Sequence, residues 1–161
     1  MPLKLNIRPL VLDDRPVIER MLRQIPEFLP FEVDVALELC DAYLHSGEGS
    51  GYHVFVAEVG GRVVGYICYG PTPLTDGTWD VYWIAVMPDM QGKGVGGRLM
   101  DFSIAKIKDA GGRLAIIETS SKPEYRRIVR FHESHGFQVV CRIPDFYAVG
   151  DDKLILVRRL T

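Results

Sequence analysis

Gln91-Gly92-Lys93-Gly94-Val95-Gly96-Gly97 stands between a strand-like run, Thr78 to Val86, and a helix-like run from about Gly96 to Ala110. Strand, glycine-rich turn and helix in that order form the first half of a βαβ unit, and this decides the fold class. The strand is rich in aromatic and branched residues and too apolar to have a wet face, so it is expected at the centre of a sheet. Leu99, Phe102, Ile104 and Ile107 are the apolar positions of the helix, and Gly111-Gly112 closes it. Leu114 to Thr119 reads as the next buried strand, parallel to the first across a right-handed crossover. Successive glycines let backbone N–H groups approach a ligand, and the helix N-terminus behind them adds its positive dipole end. That combination suits a phosphate or pyrophosphate, with a plain surface turn as the alternative.

Upstream, Leu5, Ile7 and Pro9 mark a short opening strand. Asp13 and Asp14 lie in N-cap range of a helix that has Pro16 in its first turn and runs to about Gln24. A second helix is expected over Glu32 to His45, and Gly60-Gly61 joins Tyr52–Val59 to Arg62–Tyr69 as a hairpin. Downstream, Ser121 with Glu124 predicts a capping box opening a helix to His135, and Phe137–Ile143 and Lys153–Arg159 read as the last strands. The order is β-α-α-β-β-β-α-β-α-β-β, an α/β arrangement on a mixed sheet.

The chain has 161 residues and a mass of 18.1 kDa, which fits one domain, 1–161. With 19 Lys+Arg against 21 Asp+Glu there is no basic footprint, so neither nucleic acid nor a membrane surface is an expected partner. Glycine and prolines interrupt the longest uncharged run, Val63 to Thr75, and the N-terminus carries Lys4 and Arg8, so the expectation is a cytoplasmic protein without a membrane span or signal peptide. Cys40, Cys68 and Cys141 are odd in number and widely spaced, which predicts reduced core thiols. His132 and His135 stand three apart on a helix, but no third ligand completes a metal motif, so no metal is expected.

Gly92-x-Gly94-x-x-Gly97, followed by Glu118, matches the dinucleotide fingerprint literally. A dehydrogenase is nevertheless disfavoured. Met87 to Gln91 separate the strand from the first glycine, and too little chain follows for a second nucleotide-binding half. A P-loop is excluded because no Gly-Lys-Ser/Thr ends the loop. With the element order in hand, Gln91-Gly92-Lys93-Gly94-Val95-Gly96 resembles the acetyl-CoA motif Gln/Arg-x-x-Gly-x-Gly/Ala of the GNAT superfamily of N-acetyltransferases. Val86-Met87-Pro88 is similar to the strand end before that motif, and Phe131 with Gly136-Phe137 to the later helix-strand motif.

The resemblance implies a mostly antiparallel sheet flanked by helices, with two central parallel strands splayed apart. It implies an acetyl-CoA cosubstrate whose pantetheine arm pairs with the first of those strands at Ile84, Ala85 and Val86, leaving the thioester beside a bulge. Gln91, Gly92, Lys93, Gly94, Val95, Gly96 and Gly97 would then cradle the pyrophosphate. The acceptor is a primary amine of a small molecule or a protein, deprotonated by a general base because only the neutral amine attacks. Two carboxylates match base positions of relatives, Asp80 and Glu118, and Glu118 is slightly favoured at the carboxyl end of its strand. The usual tyrosine acid is replaced by His132. Tyr125, seven residues earlier on an expected helix, would share its face and touch the cofactor, and Tyr147 is a further acid candidate. The missing tyrosine leaves a catalytically weak acyl-CoA-binding or sensing module as the alternative function. Many relatives form homodimers. Glu32, Asp34, Asp41, Asp145, Asp151 and Asp152, in segments expected to border the acceptor, predict a rim that attracts a cationic amine.

Overall fold

A computed structural model describes residues 2–161. A seven-stranded sheet runs in the order β1-β2-β3-β4-β5-β7-β6. The strands are β1 (Asn6–Pro9), β2 (His53–Val59), β3 (Arg62–Pro71), β4 (Thr78–Val86), β5 (Leu114–Ser120), β6 (Gln138–Ala148) and β7 (Asp151–Arg159). The helices are α1 (Arg15–Gln24), α2 (Pro30–Ser46), α3 (Val95–Asp109) and α4 (Arg126–Ser134). Every neighbouring pair is antiparallel except β4 and β5. The expected mixed α/β sheet and its element order are both present.

Helices cover the sheet on two faces. Ile18, Met21 and Leu22 of α1 and Val33, Leu37 and Cys40 of α2 pack on Val54, Val56, Tyr66 and Cys68. On the opposite face, Leu99, Met100, Ile104 and Ile107 of α3 pack on Ile67, Tyr69, Val81, Ala115 and Leu156. Covered on both sides, β3 is buried from Val63 to Gly70 without the alternation of a half-wet strand. A Cβ on Gly65 would lie 3.1 Å from the Ala85 carbonyl and from Leu99 and Val95 side-chain atoms, so α3 starts almost on the sheet backbone. That close approach holds the glycine-rich loop against the end of β4.

Several local expectations are corrected. Asp14 does not cap α1 through its side chain. Its carboxylate accepts the Val11 N–H at 2.9 Å and pairs with the Arg8 guanidinium at 2.7 Å. Helix α2 starts at Pro30, with Glu32 reaching back to the Leu29 N–H at 2.7 Å. Ser121 and Glu124 form no capping box. The Ser121 hydroxyl accepts the Asp152 N–H, and the Ser120 hydroxyl accepts that of Lys122. The final hairpin is longer than expected, with only Val149-Gly150 between its strands, so Asp145, Asp151 and Asp152 are strand residues. Cys40 and Cys68 are buried, whereas Cys141 lies exposed on β6, the sheet's outer edge. Strand β4 is central, yet Tyr82 is exposed and most of its residues are only half-buried, because β5 leaves it early. No helix among the described residues is long and apolar enough to cross a membrane.

Candidate functional site

The parallel strands stay paired only from Thr78–Leu114 to Asp80–Ile116. Beyond that point Val81–Val86 and Ile117–Ser120 diverge, and each leaves a backbone edge open toward the other. On its other side β4 carries a bulge: Trp83 pairs with Cys68 and Val81 with Tyr69, so Tyr82 has no partner on β3. The bulge therefore precedes Ile84, Ala85 and Val86 rather than falling on them. Ile84 and Val86 pack toward α3, while Ala85 faces the core under α1 and α2.

The glycine-rich loop closes the wide end of this wedge. Gln91 donates its side-chain amide to the Val86 carbonyl at 3.2 Å, tying loop to strand. Gly92 and Gly94 have φ of +75° and +87°, and the space where a Cβ would stand is open at both, so they are needed for the backbone path. Gly96 and Gly97 are needed for packing instead: a Cβ would stand 3.3 Å from the Phe131 ring and 3.0 Å from the His135 imidazole. Val95 is a core residue, so only its backbone faces the loop. From Gly92 through Gly97, Lys93 included, no backbone N–H makes a close hydrogen bond to an acceptor among the described residues. Six successive free donors at the start of a fifteen-residue helix form an anion cradle of the kind a pyrophosphate fits. The donor set, with the open edge of β4 beside it, fits an acyl-CoA.

Asp80 sits where the strands begin to part. Its carboxylate accepts the Thr72 hydroxyl at 2.6 Å and the Tyr82 hydroxyl at 3.4 Å, and no cation pairs with it among the described residues. Glu118 lies on the same face of the sheet, two residues beyond Ile116, which pairs with Asp80. Its charge is matched: the Lys153 ammonium lies 2.7 Å from Oε2 and 4.1 Å from the centroid of the Phe146 ring. Tyr147 is half-exposed. Burial, then the nearby charges of Glu118, Asp151 and Glu32, push its hydroxyl above the ordinary tyrosine value.

Tyr125 and His132 do not share a face. Tyr125 belongs to a 3₁₀ turn ahead of α4 and donates its hydroxyl to the Glu27 carbonyl at 3.0 Å, on the α2 side. His132 points the other way, with its ring against Phe131 and Phe137. It is 3% exposed, its Nδ1 has no partner among the described residues, and burial, aided by His135, lowers its pKa to about 4. It is thus a neutral imidazole at physiological pH. His135 turns Nδ1 to the Phe131 carbonyl at 2.9 Å.

The acidic rim is satisfied internally. Asp41 pairs with Arg15 at 2.6 Å, Asp34 with Arg23 at 3.4 Å, Asp152 with Arg142 at 2.6 Å and Asp151 with Lys122 at 3.6 Å. The Asp151 carboxylate also takes the Ser120 hydroxyl. Glu32 takes the Leu29 N–H, and Asp145 takes the Gly150 N–H at 2.8 Å. Sequence reasoning missed Thr72, Tyr82 and Lys153. Tyr82 was findable, being two residues from Asp80 on a strand, but Lys153 required the β5–β7 register.

Residues 50–139 match the family model described as an acetyltransferase (GNAT) domain. The L-amino acid N-acyltransferase MnaT of Escherichia coli K12 is 32% identical over 97 residues, covering 59% of this chain and 55% of that protein. The match thus spans about half the length of that relative. A crystal structure from Desulfovibrio desulfuricans, of a candidate GNAT-family acetyltransferase, is 39% identical with a TM-score of 0.94, over 98% of this chain and 100% of that one. A Salmonella typhimurium structure holding acetyl-CoA shares the fold, with a TM-score of 0.74 at 23% identity over 98% and 94% of the chains.

Proposed function

The chain belongs to the GNAT acetyltransferase family, and on that premise we propose that it is an acetyl-CoA-dependent N-acetyltransferase of small primary amines. One observation carries the reading: an uncompensated carboxylate, Asp80, stands at the crotch of a strand wedge whose wide end meets six free N–H donors. Acetyl-CoA supplies the acyl group as an activated thioester. The backbone of residues 92–97 would hold its pyrophosphate, and the open edge of Val81–Val86 its amide-bearing arm.

An ammonium of pKa near 10 is almost wholly protonated at neutral pH and cannot attack. Asp80 would take that proton directly or through one water. Glu118 is the weaker candidate, because taking up a proton would break its bond to Lys153. With Asp34, Asp41, Asp151 and Asp152 each paired to a basic residue, a general preference for cations loses much of its support. The amino-acid substrate named for the E. coli relative makes amino acids the first acceptors to test.

The test is release of free CoA thiol from acetyl-CoA with a panel of amino acids, polyamines and short peptides. Turnover with amino acids above the rest is the expected result. Acetyl-CoA binding without turnover on any amine would favour an acyl-CoA-binding module instead.

The loop makes a separate prediction. Gly94→Ala forces a side chain into a left-handed conformation at the N-cap of α3, and should cost about 1–2 kcal/mol in urea unfolding. Acetyl-CoA affinity, measured by calorimetry on the folded variant, should fall with it. Unchanged affinity would mean that the cradle does not bind the cosubstrate.

A further inference from the structure

We infer that the amine this protein acetylates carries an apolar side chain, seated on a strip of branched residues, Ile116, Ile155 and Val157, beside Asp80. The inference rests on the acetyl-transfer reading and names the substrate class for it. Side chains alternate along β5 and β7, and Ala115, Ile117, Leu154 and Leu156 point into the core under α3. Ile116, Ile155 and Val157 therefore point to the other face. Helices α1 and α2 cover that face over β2, β3 and β4, but among the described residues the core they form takes in nothing from β5 or β7. The three branched residues stay half-buried and join neither core. They offer apolar surface for a ligand to cover, next to a polar group that fixes the ligand's orientation.

The register says which ligand this is. Ile116 stands opposite Asp80 on β4 and opposite Val157 on β7, and Ile155 stands opposite Glu118. With neighbouring strands about 4.8 Å apart, the strip begins roughly 5 Å from Asp80 and ends roughly 10 Å from it. An amine nitrogen held at Asp80 lays the carbon chain attached to it across Ile116 toward Val157. Glu118 would do the same through Ile155, so the inference does not depend on which carboxylate is the base. The charges beside Ile155 do not call for an ionic side chain. Glu118 and Lys153 lie 2.7 Å apart and satisfy each other, and the ammonium sits 4.1 Å from the centroid of the Phe146 ring. Three side chains are far too small a surface for a stable protein partner, which takes about 800 Å² a side. They match one aliphatic or aromatic side chain.

The test gives the full chain acetyl-CoA and two sets of acceptors: alanine, 2-aminobutyrate, norvaline and norleucine, and the near-isosteres leucine and asparagine. Each methylene that the strip covers should raise kcat/KM roughly two- to fourfold, and leucine should exceed asparagine at least about tenfold. Ile116→Thr and Ile155→Thr keep a β-branched residue in the strand, so the fold should persist by circular dichroism. In both, the leucine-to-alanine ratio of kcat/KM should fall at least about fivefold, mainly through KM. Calorimetry of leucine and alanine on the protein saturated with CoA reads the same preference without turnover. Acetyl transfer that ignores chain length, or that favours asparagine, overturns the inference and leaves the reaction standing. Leucine binding that Ile116→Thr weakens, with no amine acetylated, keeps the apolar seat and overturns the reaction; neither turnover nor binding overturns both. Ratios that both variants leave unchanged also overturn the inference, and a change of sedimentation mass in their place assigns the strip to a second copy.

Discussion

Asp80→Asn should lower kcat/KM for acetyl transfer by about 10²–10⁴-fold, the range that a positioned general base contributes. Acetyl-CoA affinity should stay within a few-fold of the parent, because the cradle at residues 92–97 and the open edge of β4 are untouched. The change is nearly isosteric, and the Thr72 hydroxyl can still donate to the remaining oxygen. The loss should be largest at low pH, where nearly every amine is protonated. It should shrink as pH nears the amine's own pKa of about 10, where the base is no longer needed. Glu118→Gln is the control. That variant removes a carboxylate whose charge Lys153 already matches, so it should cost less and without this pH signature. If Glu118→Gln shows the larger, pH-dependent loss, the two assignments are reversed. If both variants follow the parent profile, neither carboxylate is the base.

What the sequence made legible was what depends on local backbone chemistry. Thr78–Val86 reads as a strand because branched and aromatic residues run through it, and its observed bounds are the same. The glycine run could be read as an anion cradle because backbone donors need no side-chain partner. Its individual glycines were less legible. Gly92 and Gly94 serve the backbone path, but Gly96 and Gly97 make room for Phe131 of α4 and for His135, the residue that caps that helix, both much later in the chain. The last hairpin was cut short because Pro144 usually ends a strand. Here the chain absorbs it with an irregularity at Asp145 and carries on to Ala148. The ion pair of Glu118 with Lys153 depends on which residues face each other across β5 and β7. No local pattern carries that information. The state of the acidic rim was hidden for the same reason: Asp34, Asp41, Asp151 and Asp152 look free along the chain and meet a basic residue only once it folds.

His132 gives the second large effect, this time on stability. Unfolded, its imidazole takes up a proton near pH 6.5; folded, burial holds its pKa at about 4. Above pH 6.5 both states are neutral and the residue contributes no pH dependence. Between about 6.5 and 4 the unfolded chain binds the proton and the folded chain does not, so stability falls as pH falls and levels off below 4. The full loss is about 3 kcal/mol, of which about 2 kcal/mol is reached by pH 5. For a chain of this size that lowers the melting temperature by roughly 4–8 °C. Asp14 does not confuse the measurement. Burial would raise its pKa, but the bonds from Arg8 and Val11 outweigh that and hold it below the ordinary carboxylate value, so its share is lost only at lower pH. Urea unfolding of the parent and of His132→Gln at pH 7, 6 and 5 isolates the effect: the parent should weaken over this range and the variant should be nearly flat. Equal slopes would mean that His132 takes up a proton in the folded state after all. The same result would restore the imidazolium as an acid for the departing thiol. A flat variant removes it, and a thiolate of pKa about 8.5 then leaves without a proton from this residue.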